Sequence, residues 1–168
     1  MNPAQRTDLV RAVHAAPLRI VLAVTGGGVA AIGDLLNVPG ASKTVLEVTV
    51  PYAEDSLAGL LGAAPDGACT PETAAAMAAA CRLRALQLSD GTTPVAGVAC
   101  TAALVTDRPK RGDHRAHVAV DTGAGADVTD VVLDKGALDR VGEDRVVADV
   151  ILRALAAAAG VEGFPQGE

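Results

Sequence analysis

Aromatic side chains are almost missing from this chain: Tyr52 and Phe164 are its only rings of that kind, and it has no tryptophan in 168 residues. Proteins that grip single-stranded nucleic acid stack its bases on such rings, so that class is excluded. Excess positive charge is missing as well. The formal charge is −6, and an acidic surface is repelled by a phosphate backbone, so no nucleic-acid partner is expected. No apolar run approaches the roughly 20 residues that a membrane-spanning helix needs. The N-terminal stretch carries charges where a signal peptide has its apolar core, so the expectation is a cytoplasmic protein with no membrane partner. Cysteine is scarce: Cys69, Cys81 and Cys100 are an odd number at spacings that fit neither a paired disulfide framework nor a zinc cluster, and they read as buried free thiols. His14 and His117 have no carboxylate or second histidine at metal-ligand spacing and read as structural or surface residues. No metal and no cofactor is implied.

What is present is small apolar residues. Half of the chain is apolar, enough for a core of Ala, Val and Leu in one domain, expected over residues 1–160 with a loose tail over 161–168. Helices are predicted over 3–15, 29–36, 53–61 and from Pro71 through Leu88, the last opened by Thr70 and a proline at its first position. Another is predicted over about 144–159, with Glu143 and Asp144 read as charges placed for its dipole. Strands are predicted over 18–24, 44–50, 95–104, 115–121 and 128–133. Interleaving of the two types predicts a three-layer α/β/α architecture with helices covering a mixed sheet.

The strand through Val24 runs into Thr25-Gly26-Gly27-Gly28 and then a helix. Strand, glycine turn and helix together bring free N–H groups and the positive end of a helix dipole to one point, a recipe for binding an anion. The turn has neither the spacing of the dinucleotide fingerprint nor the ending of a P-loop, and it reads equally as a tight connection. A basic run, Arg108, Lys110, Arg111, His114 and Arg115, stands out in an otherwise acidic chain. Such a run holds a phosphate or carboxylate by side chains, or forms a solvated hairpin.

Taken together, these pieces resemble the CinA C-terminal family, the nicotinamide-nucleotide amidohydrolases related to competence-damage proteins. The family's Val-Pro-Gly-Ala-Ser stands intact from Val38 to Ser42, and counting back places Thr25 at the family's serine. Tyr52 matches the tyrosine of the following motif, and Leu60-Leu61-Gly62 matches its end, but Leu57 stands at the lysine position. After Val98 the family carries a glycine-rich phosphate cradle, where this chain has Cys100-Thr101-Ala102-Ala103-Leu104 and the basic loop.

The resemblance implies a CinA-like fold, a homo-oligomer, and a site for a small phosphorylated molecule such as a pyridine nucleotide. It implies Thr25 and Tyr52 as the catalytic pair. Gly26, Gly27, Gly28, Ser42, Thr101, Arg108, Lys110 and Arg111 are the expected ligand-binding residues. It also implies an altered amidase, because a hydroxyl attacks an amide poorly without a base, and leucine moves no proton. Three readings stay open: a binding protein with altered machinery, an active amidohydrolase using Thr25, and a scaffold or oligomerisation module with a relic site.

Overall fold

The computed structural model describes residues 1–164. Its helices are α1 (Pro3–Ala15), α2 (Ala30–Asn37), α3 (Glu54–Leu61), α4 (Pro71–Leu88) and α5 (Arg140–Ala158), and its strands are β1 (Arg19–Thr25), β2 (Val45–Thr49), β3 (Val95–Ala103), β4 (His114–Asp121) and β5 (Ala126–Leu133). One sheet forms in the order β2-β1-β3-β4-β5. β1 is parallel to both β2 and β3, while β4 and β5 continue the sheet antiparallel. The mixed, three-layer α/β architecture expected from the alternating pattern is the one observed.

Alternation along β1 divides the core in two. Ile20, Leu22 and Val24 face a cluster built with α1, α2 and α5. Val21 and Ala23 face the other, built with α3 and α4. A strand buried on both faces reads as one unbroken apolar run, which is what Leu18 to Val24 is. With so few rings, close approach of backbone takes the place of bulk. Ala74, Ala78, Cys81 and Ala85 line the inner face of α4, and a side chain at Gly97 of β3 would overlap the Ala78 carbonyl oxygen and the Arg82 backbone nitrogen. α4 therefore lies directly on β3.

Polar side chains tie the other helical layer together. Arg6 Nε donates to Asp149 Oδ1 at 2.8 Å, joining α1 to α5, and Arg145 of α5 donates to Asp34 of α2. His14 is buried, with Nδ1 against Thr44 Oγ1 at 2.8 Å and Nε2 against the Leu35 carbonyl at 2.9 Å. His117 Nδ1 meets Asp130 Oδ1 across β4 and β5 at 2.7 Å.

Two expectations need correction. α5 starts at Arg140, capped by the Asp139 side chain on the Gly142 N–H, so Glu143 and Asp144 lie inside its first turns and not ahead of them. Both are buried and hydrogen-bonded to other elements, which a purely dipolar role does not require. At the other end, Val161 donates its N–H to the Ala156 carbonyl at 2.9 Å, and Val161 and Phe164 pack on the α1/α2/α5 core. Val161 and Phe164, inside the stretch expected to be loose, are thus packed on the core while Glu162 and Gly163 are exposed; residues 165–168 lie outside the described residues.

Candidate functional site

The chain leaves β1 on one face through α2 to reach β2, then returns on the opposite face through α3 and α4 to β3, on the other side of β1. Such a reversal opens a crevice beyond the carboxyl ends of the two central strands, the usual ligand position in open α/β sheets. Thr25 closes β1 and pairs in register with Thr101 of β3. Continuing the alternation, both side chains lie on the α3/α4 face. Thr101 donates its hydroxyl to the Ala68 carbonyl at 2.6 Å, and Cys69 Sγ lies 3.8 Å from the Thr101 carbonyl oxygen. Thr25 is 8 % exposed, and among the described residues its hydroxyl is not committed to any hydrogen bond.

Leu57 lies on that same face. It is 4 % exposed and packs in the cluster of Val21, Ala23 and Met77. Where the family resemblance places an amine, this chain places hydrocarbon inside packed hydrocarbon. Tyr52 follows the carboxyl end of β2 and is 65 % exposed, so its phenol stands at the rim of this sheet end.

The glycine turn is built differently from its sequence reading. Gly26 has φ +78°, and a Cβ there would overlap the Ala102 carbonyl oxygen, so only glycine allows β1 to turn this closely against β3. The amides from Gly28 onward are already engaged. Asp144 Oδ1 accepts the N–H of Gly28 at 2.6 Å and of Val29 at 3.1 Å, and Oδ2 accepts that of Ala30 at 3.0 Å. The anion at the start of α2 is the protein's own carboxylate. Arg140 completes the clasp by donating to the carbonyls of Gly26 at 2.6 Å and Val105 at 3.0 Å.

The basic loop lies at this same end of the sheet, between β3 and β4. Its Lys110 Nζ is anchored on the Leu104 carbonyl at 2.8 Å, and Lys135 Nζ, from the segment after β5, reaches the loop carbonyls of Lys110 and Arg111, each at 3.1 Å. Arg115 donates to the Cys69 carbonyl at 3.1 Å. Arg108 and Lys110 line a cavity of about 360 Å³ together with Val105, Asp107, His114 and Lys135. Arg111 is exposed and outside that lining.

Of the residues expected to bind, the structure brings Thr25, Gly26, Gly27, Gly28, Tyr52, Thr101, Arg108, Lys110 and Arg111 to one end of the sheet. It does not bring Ser42. The Ser42 carbonyl meets Arg19 at the start of β1, about 20 Å of strand away from Thr25, because Ala41–Lys43 forms a short 3-10 turn leading into the amino end of β2. The residues that the sequence reading missed are Asp144, Arg140, Glu143, Cys69 and Lys135. Nothing local marks them, since each acts through contacts formed by distant parts of the chain.

Burial raises the Cys69 thiol above its ordinary range, against the opposing pull of Arg115 and Lys110. Burial also pushes Cys81 up to about 12 and Cys100 upward, so all three are poor nucleophiles as they stand. Among the described residues no group of His, Cys, Asp and Glu is placed to hold a metal ion, and no helix is long and apolar enough to cross a membrane.

No protein-family model matches this sequence, and no curated protein matches it either. Solved structures do. The competence/damage inducible protein CihA from Agrobacterium tumefaciens superposes with a TM-score of 0.72 at 20% identity, over 96% of this chain and 98% of that one. A competence or damage-inducible protein from Enterobacter asburiae gives 0.72 at 14% identity, over 92% and 98%. A competence-damaged protein (CinA) superfamily protein from Escherichia coli gives 0.66 at 14%, over 96% and 94%. The class is therefore an α/β protein with a mixed five-stranded sheet whose chain direction switches at β1. More particularly, its fold is the one found in solved structures of the CinA superfamily, shared along nearly the whole chain.

Proposed function

We propose that this protein binds a small phosphorylated molecule, of the pyridine-nucleotide kind, at the carboxyl end of its sheet and lacks efficient amide hydrolysis. One observation carries the reading: Thr25 and Thr101 stand side by side at the switch point, on the face where Leu57 fills the base position with packed hydrocarbon. The uncommitted Thr25 hydroxyl, the Lys110 ammonium anchored on the Leu104 carbonyl and the exposed Arg108 guanidinium at the same sheet end suit a polar, anionic ligand. The same site has nothing at position 57 to take a proton, and losing a general base commonly costs about 10²- to 10⁴-fold in rate. Because Asp144 holds the amides of Gly28, Val29 and Ala30, the ligand's charge is met mainly by side chains.

A ligand that binds only the folded state raises its stability. Nicotinamide mononucleotide, its acid product and a panel of nucleotides should therefore include a compound that raises the melting temperature, with no ammonia released above background. An unchanged melting temperature across the panel would refute binding. Ammonia release that vanishes in Thr25→Ala would instead establish an active amidohydrolase. The engaged turn amides favour one other reading, a scaffold whose site is a relic. It predicts neither response and full tolerance of substitution at Thr25 and Tyr52.

A further inference from the structure

Beneath the basic loop lies a pair of groups that the reading above does not use. Glu143 is 0% exposed. Its Oε2 accepts the Val105 N–H at 2.7 Å, and its Oε1 lies 2.6 Å from His114 Nδ1. Both carboxylate oxygens are thereby committed, which fixes the imidazole ring and assigns its Nδ1 proton to Glu143. His114 is itself 6% exposed, and it forms part of the wall of the cavity of about 360 Å³. Its remaining ring nitrogen, Nε2, has no partner among the described residues.

The other polar walls are cations with protons to spare. An ammonium has three N–H donors; Lys110 spends one on Leu104 and Lys135 spends two on the loop carbonyls. Those bonds fix where the remaining donors lie, and the Arg108 guanidinium adds its fork. Besides Glu143, the charged groups that line the cavity with His114 are Arg108, Lys110, Lys135 and the Asp107 carboxylate, with Arg140 of α5 on the carbonyl of the lining residue Val105. Cations prevail over that single carboxylate in the lining.

We infer that this cavity is a proton-coupled oxyanion site, taking a phosphoryl-type group that His114 binds through an Nε2–H donated by its imidazolium form. It rests on the reading of this sheet end as an anion-binding edge, and adds the group that seats the anion. The Glu143 carboxylate stabilises the imidazolium from behind while the bound anion stabilises it from the front, so anion binding and protonation of His114 reinforce each other. Binding therefore draws on the second ring proton, the one at Nε2.

The test is a titration of the intact protein with inorganic sulfate, followed through its histidine rings by carbon-edited proton NMR at constant ionic strength against chloride. Sulfate keeps its charge between about pH 5 and 8, the range in which histidine titrates, so any linkage belongs to the protein. His14→Asn and His117→Asn assign the His114 signal by elimination, so the assay does not depend on His114→Gln folding. The expected result is a saturable shift of the His114 resonance, a higher titration midpoint with sulfate bound, and about tenfold weaker binding once the ring is neutral, from loss of a charge-assisted hydrogen bond. Arg108→Gln should weaken binding about as much without lowering the melting temperature. Sulfate that leaves His114 unmoved, or moves it equally in Arg108→Gln, overturns the inference. A nucleotide that stabilises the protein while leaving His114 untouched supports the crevice alone and overturns this site. Sulfate that moves His114 when no nucleotide binds supports this site and overturns the crevice.

Discussion

Replacing Asp144 by alanine removes one carboxylate and abandons three backbone donors, the N–H groups of Gly28, Val29 and Ala30. Their environments differ. The Gly28 donor is buried while the other two are partly buried, so water can reach those two in the variant but the first keeps its full desolvation cost, about 1–3 kcal/mol. Loss of the cap and of the negative charge at the start of α2 adds about 1–2 kcal/mol. The sum is about 3 kcal/mol, which in a chain of this size lowers the melting temperature by about 6–12 °C. Asp144→Asn keeps an acceptor but turns an amide donor toward backbone donors, and should lose about half as much, roughly 1.5 kcal/mol. Urea unfolding of the three proteins followed by circular dichroism reads these values directly. A loss below about 1 kcal/mol in Asp144→Ala, the size of one ordinary exposed cap, would refute the claim that this carboxylate holds the glycine turn.

Three further outcomes follow from the packing. Gly97→Ala forces α4 away from β3 and should cost about 3 kcal/mol or more, measured by the same unfolding curves. Burial raises the Asp149 carboxyl, but the Arg6 hydrogen bond and the nearby positive charges outweigh it, leaving it below its ordinary value when folded. Its stabilisation is therefore present above the unfolded value near pH 4 and disappears as pH falls through the folded one. Arg6→Gln should flatten that acid limb of a stability-versus-pH series. Finally, a thiol reagent at neutral pH should leave Cys81 and Cys100 unmodified in the native protein, modify the half-buried Cys69 slowly, and reach all three only after denaturation, as intact mass spectrometry will show.

Much of the fold was legible because its signals are local. The unbroken apolar run of β1 announces burial on both faces, and Thr70 with Pro71 announces the start of α4. The proline at position 3 and the break at Pro17 bracket α1 in the same way. The start of α5 was missed because Asp139, its cap, precedes Arg140, Gly142, Glu143 and Asp144, a polar stretch with little apolar periodicity to extend the helix backward.

The site was legible only in part, and for a physical reason. Glycine at position 26 reports a backbone demand that is visible locally, and Thr25 and Thr101 fall at strand ends that periodicity can locate. Asp144 is read from sequence as a solvated helix charge; what it does depends on α5 crossing beside the start of α2, 114 to 116 positions away along the chain. Glu143 and His114 are joined in the same way across 29 positions. Ser42 shows the opposite failure, a motif residue in unbroken sequence context that topology carries to the other end of the sheet.

Calorimetric titration of nicotinamide mononucleotide into the wild-type protein and Thr25→Val, with ammonia assayed in the same cell, addresses the binding reading most directly. The account predicts saturable heat with the wild type, about tenfold weaker binding when the hydroxyl is removed, and no ammonia from either. Absence of binding heat in the wild type, or ammonia produced in proportion to the protein present, would contradict it.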